Sequence, residues 1–242
     1  MLKLYHRWGS TCSKRVRICL AEKGLEWEGR VMTALEEREN LEPWYIELNP
    51  NGVVPTLEHD GRILIESCVI LEYLDDVFPE VPLRPADAYD RAAMRIWLDK
   101  AEFVAHKNVN VLSHNRRHSS AASGVDRDTW LRNAEKYPKL EYRRERIRRF
   151  HEGVSEEQEN FAEACLAELM DEMEAALSKS PWLAGDEYSL ADISITPYIQ
   201  RFEANELTRL VDWTVRPAVG EWWRRITARP SYEEGMRLDL AK

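Results

Sequence analysis

The chain has 242 residues, 44% hydrophobic and 32% charged, a balance that excludes a disordered polymer and allows one large or two small cored domains. Its apolar runs fall well short of the ~20 residues that a membrane-spanning helix requires. A formal net charge of −9 opposes general affinity for nucleic-acid phosphates.

The start, "MLKLYHRWGS", has no long apolar stretch of the secretory kind, so the fold is expected to begin at residue 1 and the location to be cytoplasmic. Residues 2–5 (LKLY) read as a short strand. A loop follows, then a helix over about 14–23, with Val16, Ile18, Cys19 and Leu20 on an apolar side and Gly24 as its stop. At the entrance of that helix stand Ser10, Thr11, Cys12 and Ser13 in a row. A Ser or Thr there serves as a cap. A thiol there feels the positive end of the helix and a hydroxyl donor, both of which lower its pKa. The thiol could be Cys12 itself, or one brought by a ligand with Ser10 or Ser13 as the donor.

"LEWEGRVM" (25–32) is a second strand candidate. Two more strands, Val54 to Glu58 and Arg62 to Ile65, flank His59, Asp60 and Gly61 in the Asp-Gly pattern of a hairpin. A helix from near Ser67 is expected to turn Val69, Ile70, Tyr73 and Leu74 inward. The order βαβαββα describes a small mixed sheet covered by helices. Pro79, Pro82 and Pro85 then break helix and sheet alike, which places one domain at 1–78 and a second at 88–242.

The second domain reads as all-helical, from Met94, Trp97, Leu98 and Ala101, and from Phe161, Cys165, Leu169, Met173 and Leu177 at 3-4 spacing. "SLADISITP" (189–197) is a capping box of Ser189 and Asp192, opening a helix cored by Ile193, Ile195 and Tyr198. Residues 115–160 are poor in apolar periodicity and read as an extended excursion, with "SSAASG" (119–124) as a flexible turn and "YRRERIRRF" (142–150) as a solvated basic face. The four cysteines show neither a CxxC pair nor zinc-like spacing, so no metal is expected, and Cys19, Cys68 and Cys165 are assigned to core packing.

Three features converge on one ligand. Val54-Pro55 puts a proline at the start of a strand. In the cis form it would turn the N–H and C=O of Val54 outward, where an extended peptide can pair. Glu66 and Ser67 open a helix, and helix N–H groups, a hydroxyl and a carboxylate together suit an amino-acid zwitterion. The row at Ser10 to Ser13 suits a sulfur. A peptide with a backbone to pair, a free amino-acid end and a central thiol is glutathione.

The order βαβαββα, the loop "GSTCSKRVRICLAEKGLEWE", the segment "NPNGVVPTL", "ES" followed by "CVILEYLDDVFP", and "SLADI" in a helical second domain together resemble the cytosolic glutathione S-transferase superfamily. The resemblance implies an α+β thioredoxin-like domain followed by an all-α domain, glutathione as co-substrate, a small-molecule electrophile as acceptor, and a homodimer. It implies a cis Val54–Pro55 bond, with Val54 pairing the cysteinyl backbone of glutathione and Glu66 and Ser67 holding the γ-glutamyl end. Asn40 falls where some members contact the glycyl end, and Asp192 matches a residue that serves folding. The loop resembles that of the zeta isomerases, which matches Ser10 to the activating serine, although Lys14 stands where those enzymes have tryptophan. The stretch "HDGRILIESCVILEYLDDVFPEVPLRPADAYDRAAMRIW" resembles the bacterial β-etherases, in which the hydroxyl falls at Ser13 and an asparagine at the position of Cys12.

The expected reaction is attack of a glutathione thiolate on an electrophilic carbon, with a phenolate leaving where the acceptor is a β-aryl ether. Ser10 would donate to the sulfur, with Ser13 as an alternative. The acceptor wall is expected at His106, Asn110 and His114, with Trp8 beside the loop. Alternatives are Cys12-dependent reduction of glutathione disulfides, a zeta-like isomerase, and a non-catalytic glutathione-binding module.

Overall fold

In the computed structural model, which describes residues 1–33 and 38–237, β1 (Leu2–His6) buries Leu2, Leu4 and Tyr5 and forms the centre of a four-stranded sheet. The order is β2-β1-β3-β4: β2 (Trp27–Val31) runs parallel to β1, while β3 (Thr56–His59) and β4 (Arg62–Ile65) add antiparallel neighbours. Asp60 and Gly61 join β3 to β4 with φ of 49° and 78°, the left-handed pair that a two-residue hairpin requires. α1 (Thr11–Glu22), α2 (Pro43–Leu48) and α3 (Ser67–Val77) complete the order βαβαββα.

The helical domain opens with α4 (Ala88–Lys100), which runs on through a π-helical turn (Ala101–His106), α5 (Lys107–Ser113) and a second π-helical turn (His114–His118). Such wide turns re-aim side chains and recur at functional sites. Then come α6 (Ser120–Ser123), α7 (Arg127–Glu135), α8 (Leu140–Glu152), α9 (Glu156–Leu177), α10 (Leu190–Ala204), α11 (Pro217–Thr227) and α12 (Pro230–Met236). Residues 115–160 are therefore helical, which corrects the expected extended excursion. α8 hid from periodicity because none of its residues is buried.

Two expected faces are also corrected. On α3, Ile70, Leu71 and Leu74 point inward and Val69 outward. On α9, the buried row is Ala162, Leu166, Leu169, Met170, Met173 and Leu177, which leaves Phe161 69% exposed and Cys165 at the margin.

One apolar cluster runs through both domains, from Leu4, Val16, Ile18 and Leu74 to Met94, Leu98, Tyr198 and Trp222. α10 and α12 both pack on α1, so the loop before α1 sits at the seam between domains. Among the described residues no helix is long and apolar enough to cross a membrane, and no three His, Cys, Asp or Glu side chains form a metal cluster.

Candidate active site

α1 begins at Thr11 because Ser10, with extended backbone, caps it: Ser10 Oγ accepts from the Ser13 N–H at 3.2 Å. That bond leaves the Ser10 hydroxyl proton free to donate. Ser13 is fully buried, and its Oγ accepts from the Arg7 N–H at 3.3 Å. Ser13 therefore sits deeper than the half-buried Ser10.

Cys12 stands in the first turn, half-buried, with Sγ 3.6 Å from His106 Nδ1 and 4.0 Å from Tyr198 Oη. The other nitrogen of that ring, Nε2, lies 2.9 Å from the Asn110 side-chain amide. His106 is the last residue of the first π-helical turn, and Asn110 follows one turn later on α5. Burial pushes the Cys12 thiol up, but His106 and Arg15 outweigh it and bring the group down to about 7. His106 moves the other way: burial lowers it, and the facing thiolate and Glu102 raise it above its ordinary value. The pair is an activated thiol with an oriented imidazole beside it.

Arg15, three residues along α1 from Cys12, is fully buried. Its Nη1 donates to Ser67 Oγ at 3.0 Å and to Glu102 Oε2 at 3.1 Å; its Nη2 donates to the Ala101 carbonyl at 3.1 Å and to the Tyr198 hydroxyl. One guanidinium thus ties the entrance of α3 to the π-helical turn that presents His106.

The Val54–Pro55 bond is cis, and β3 starts just after it at Thr56. The segment is held through the Val53 carbonyl, which accepts from Tyr45 Oη at 2.7 Å and from Asn49 Nδ2 at 2.8 Å. The Val54 N–H and C=O make no hydrogen bond among the described residues. Glu66 is exposed at φ 68° and accepts from Asn51 Nδ2 at 2.8 Å, while Ser67 is buried as the first residue of α3.

Other sequence candidates are occupied elsewhere. Asn40 is buried, donating to the Gly52 carbonyl at 2.5 Å and accepting from Arg7, so it has no free face for a glycyl end. His114 is buried with its ring edge against Trp130, and Trp8 packs against the Arg17 guanidinium at 4.8 Å. Cys68 is half-buried and meets Arg15 at 3.0 Å.

α8 adjoins this site through Asn110. Arg149 donates to the Asn110 carbonyl at 3.2 Å, and Tyr142, two turns earlier, lies within electrostatic reach of Glu66, Glu102 and Cys12. Sequence reasoning placed His106 and Asn110 on a wall but not beside Cys12, and it missed Arg15 and the α8 face altogether. The helical spacing from Cys12 to Arg15 was the one available signal.

Comparison with known proteins accounts for most of the chain. The family model "Glutathione S-transferase, N-terminal domain" matches residues 9–77, and "Glutathione S-transferase, C-terminal domain" matches 126–225. Protein LigF of Sphingobium sp. strain SYK-6 is 32% identical over 252 aligned positions, covering 100% of this chain and 96% of the relative. The tetrachloro-p-hydroquinone reductive dehalogenase of Sphingobium chlorophenolicum is 30% identical, covering 96% and 94%. The crystal structure of β-etherase LigF superposes with a TM-score of 0.87 at 30% identity, over 97% of this chain and 98% of that one.

Proposed function

Because the chain belongs to the glutathione S-transferase family and takes glutathione as co-substrate, we propose that it joins the glutathione sulfur to a small aryl ether and releases a phenolate. The observation that carries this reading is the Val54 backbone, unpaired among the described residues just before β3 begins, with the α3 entrance at Ser67 bonded to Arg15 of α1.

Val54 would pair with the cysteinyl backbone as an added strand. Ser67 and the α3 N–H groups would take the γ-glutamyl carboxylate, and Glu66 its ammonium. The sulfur then falls at the entrance of α1, where the Ser10 hydroxyl can donate to the thiolate and the helix end lowers its pKa. Attack on the ether carbon forms the carbon–sulfur bond and breaks the carbon–oxygen bond, and the phenolate takes its proton from water. The β-etherase named above supports the choice of acceptor.

The Cys12–His106 contact supports a second reaction at the same place. Cys12 thiolate would attack a glutathionyl disulfide, break its sulfur–sulfur bond, release the partner thiolate and be freed by a second glutathione as oxidised glutathione. The full reading includes domains at 1–78 and 88–242, a homodimer and a cytoplasmic location.

Product analysis by mass spectrometry, after incubation with glutathione and a β-aryl ether ketone, tests the main reading. Phenol and a glutathione thioether are expected, with loss of at least about tenfold in Ser10→Ala and survival in Cys12→Ala. Oxidised glutathione from a mixed disulfide, with no thioether, would move the activity to Cys12. Silence on both substrates would sink both reactions.

A further inference from the structure

We propose that the electrophile is an anion, and that Arg146 of α8 receives its carboxylate or phenolate group. This deepens the transferase reading and rests on it for the word electrophile, though not for the anion site itself.

The Arg146 guanidinium lies 4.2 Å over the Tyr137 ring, and among the described residues it has no ion-pair partner. Glu145, its neighbour in sequence, is held by Arg148 at 2.9 Å and Arg149 at 2.6 Å. Two more guanidinium groups converge from the N-terminal domain. Arg38 Nη1 reaches 3.5 Å from Tyr137 Oη, and among the described residues the buried Nε of Arg7 has no partner. An orphaned buried donor of this kind is costly unless a ligand meets it.

The Tyr137 phenol reports the resulting field. Tyr137, 2% exposed, should be raised by burial, yet Arg146, Arg38 and Arg7 bring its phenol below the ordinary value. His118 is also driven down, by desolvation first and then by Arg201, Arg146 and Arg38. A buried phenol that ionises more readily than its burial allows requires a positive potential, whereas the fall of His118 begins with its desolvation. The chain as a whole carries a net charge of −9, so this grouping of cations among the described residues runs against the overall balance.

A relay of contacts links α8 to the entrance of α1. Arg149, one turn from Arg146, bonds the Asn110 carbonyl, and the Asn110 side chain holds the His106 ring that faces Cys12. A cluster of guanidinium groups raises the local concentration of anions, and a guanidinium binds a carboxylate with two parallel hydrogen bonds; Glu66, Glu102 and Glu141 act instead on Tyr142, one turn back along α8. The glycyl carboxylate of glutathione offers the same chemistry, so the test must separate the two sources.

The full chain is assayed with glutathione and two matched acceptors, an aryloxy ketone bearing a benzoate carboxylate and its uncharged methyl ester. Wild type is expected to favour the carboxylate by about tenfold in kcat/KM, the scale of one charged hydrogen bond. Arg146→Gln should abolish the preference by raising KM for the carboxylate, with the ester and the KM for glutathione unchanged, and Arg146→Lys should restore part of it. Equal rates on the two acceptors overturn the proposal. So does a rise in KM for glutathione on both, which would assign Arg146 to the glycyl end. Calorimetric titration of benzoate onto the glutathione-loaded protein tests the anion site without turnover, with binding expected in wild type and lost in Arg146→Gln. If neither acceptor reacts but benzoate binds through Arg146, the aryl ether reading fails and the anion site stands; absence of benzoate binding removes it.

Discussion

At the level of single residues, Cys12 is defined by what surrounds it. A thiol at a helix entrance is legible in the sequence, and so is its opposition to the positive helix end. Its partner is not, because His106 lies 94 residues away and reaches it only through a π-helical turn. Alkylation of Cys12 by iodoacetamide, followed against pH, should show a midpoint near 7. The sign is set by the thiolate: rates rise as pH passes the midpoint, and removing a cation moves the midpoint up. His106→Asn should therefore shift the profile toward the ordinary thiol range of ~8.5. An unmoved profile would leave the helix end and Arg15 as the causes. Ser13 and Arg15 show the limit of reading the loop alone. The burial of Ser13 and of Arg15 depends on what packs over α1, and no local pattern in the loop announces it.

At the level of elements, local chemistry was legible where it is self-contained. The capping box of α10 needs only Ser189 and Asp192, and the hairpin only Asp60 and Gly61. α8 carries no buried residue and so leaves no apolar period to detect, while α9 is misphased because the small Ala162, not Phe161, fits the core. Asp192 extends beyond its own helix. Its carboxylate accepts from the Leu183 N–H at 3.1 Å, the Trp222 indole N–H at 2.8 Å and the Ser189 N–H at 3.0 Å, all buried. Asp192→Ala leaves three donors without partners, and at ~1–3 kcal/mol each the domain should lose at least about 3 kcal/mol. Urea unfolding measures this directly, and a midpoint within error of wild type would show that other groups or water replace the carboxylate. Asp192→Asn keeps some acceptor capacity and should fall between the two.

At the level of the whole molecule, an apolar face remains to be covered. The outer sides of α3 and α4, linked by Arg95 and Glu72 at 2.9 Å, expose Val69 and Ile96, and Phe103 follows on the adjoining π-helical turn at 69% exposure. Large apolar side chains grouped in this way mark an association surface, and a twofold copy of the same face is the simplest closed solution. Light scattering should therefore give twice the chain mass of 28.3 kDa. Phe103→Glu should halve it, since a carboxylate would meet its own symmetry neighbourhood in a dry interface. The consequence reaches the active site, because Glu102, beside Phe103, is the half-exposed partner of the buried Arg15. Covering that edge removes water from the Arg15–Glu102 pair and strengthens the hold of Arg15 on Ser67 and on the turn that carries His106. A monomeric variant should then show weaker glutathione binding at equal fold stability. Unchanged binding in the monomer would confine the interface to assembly and leave Arg15 to act within one chain.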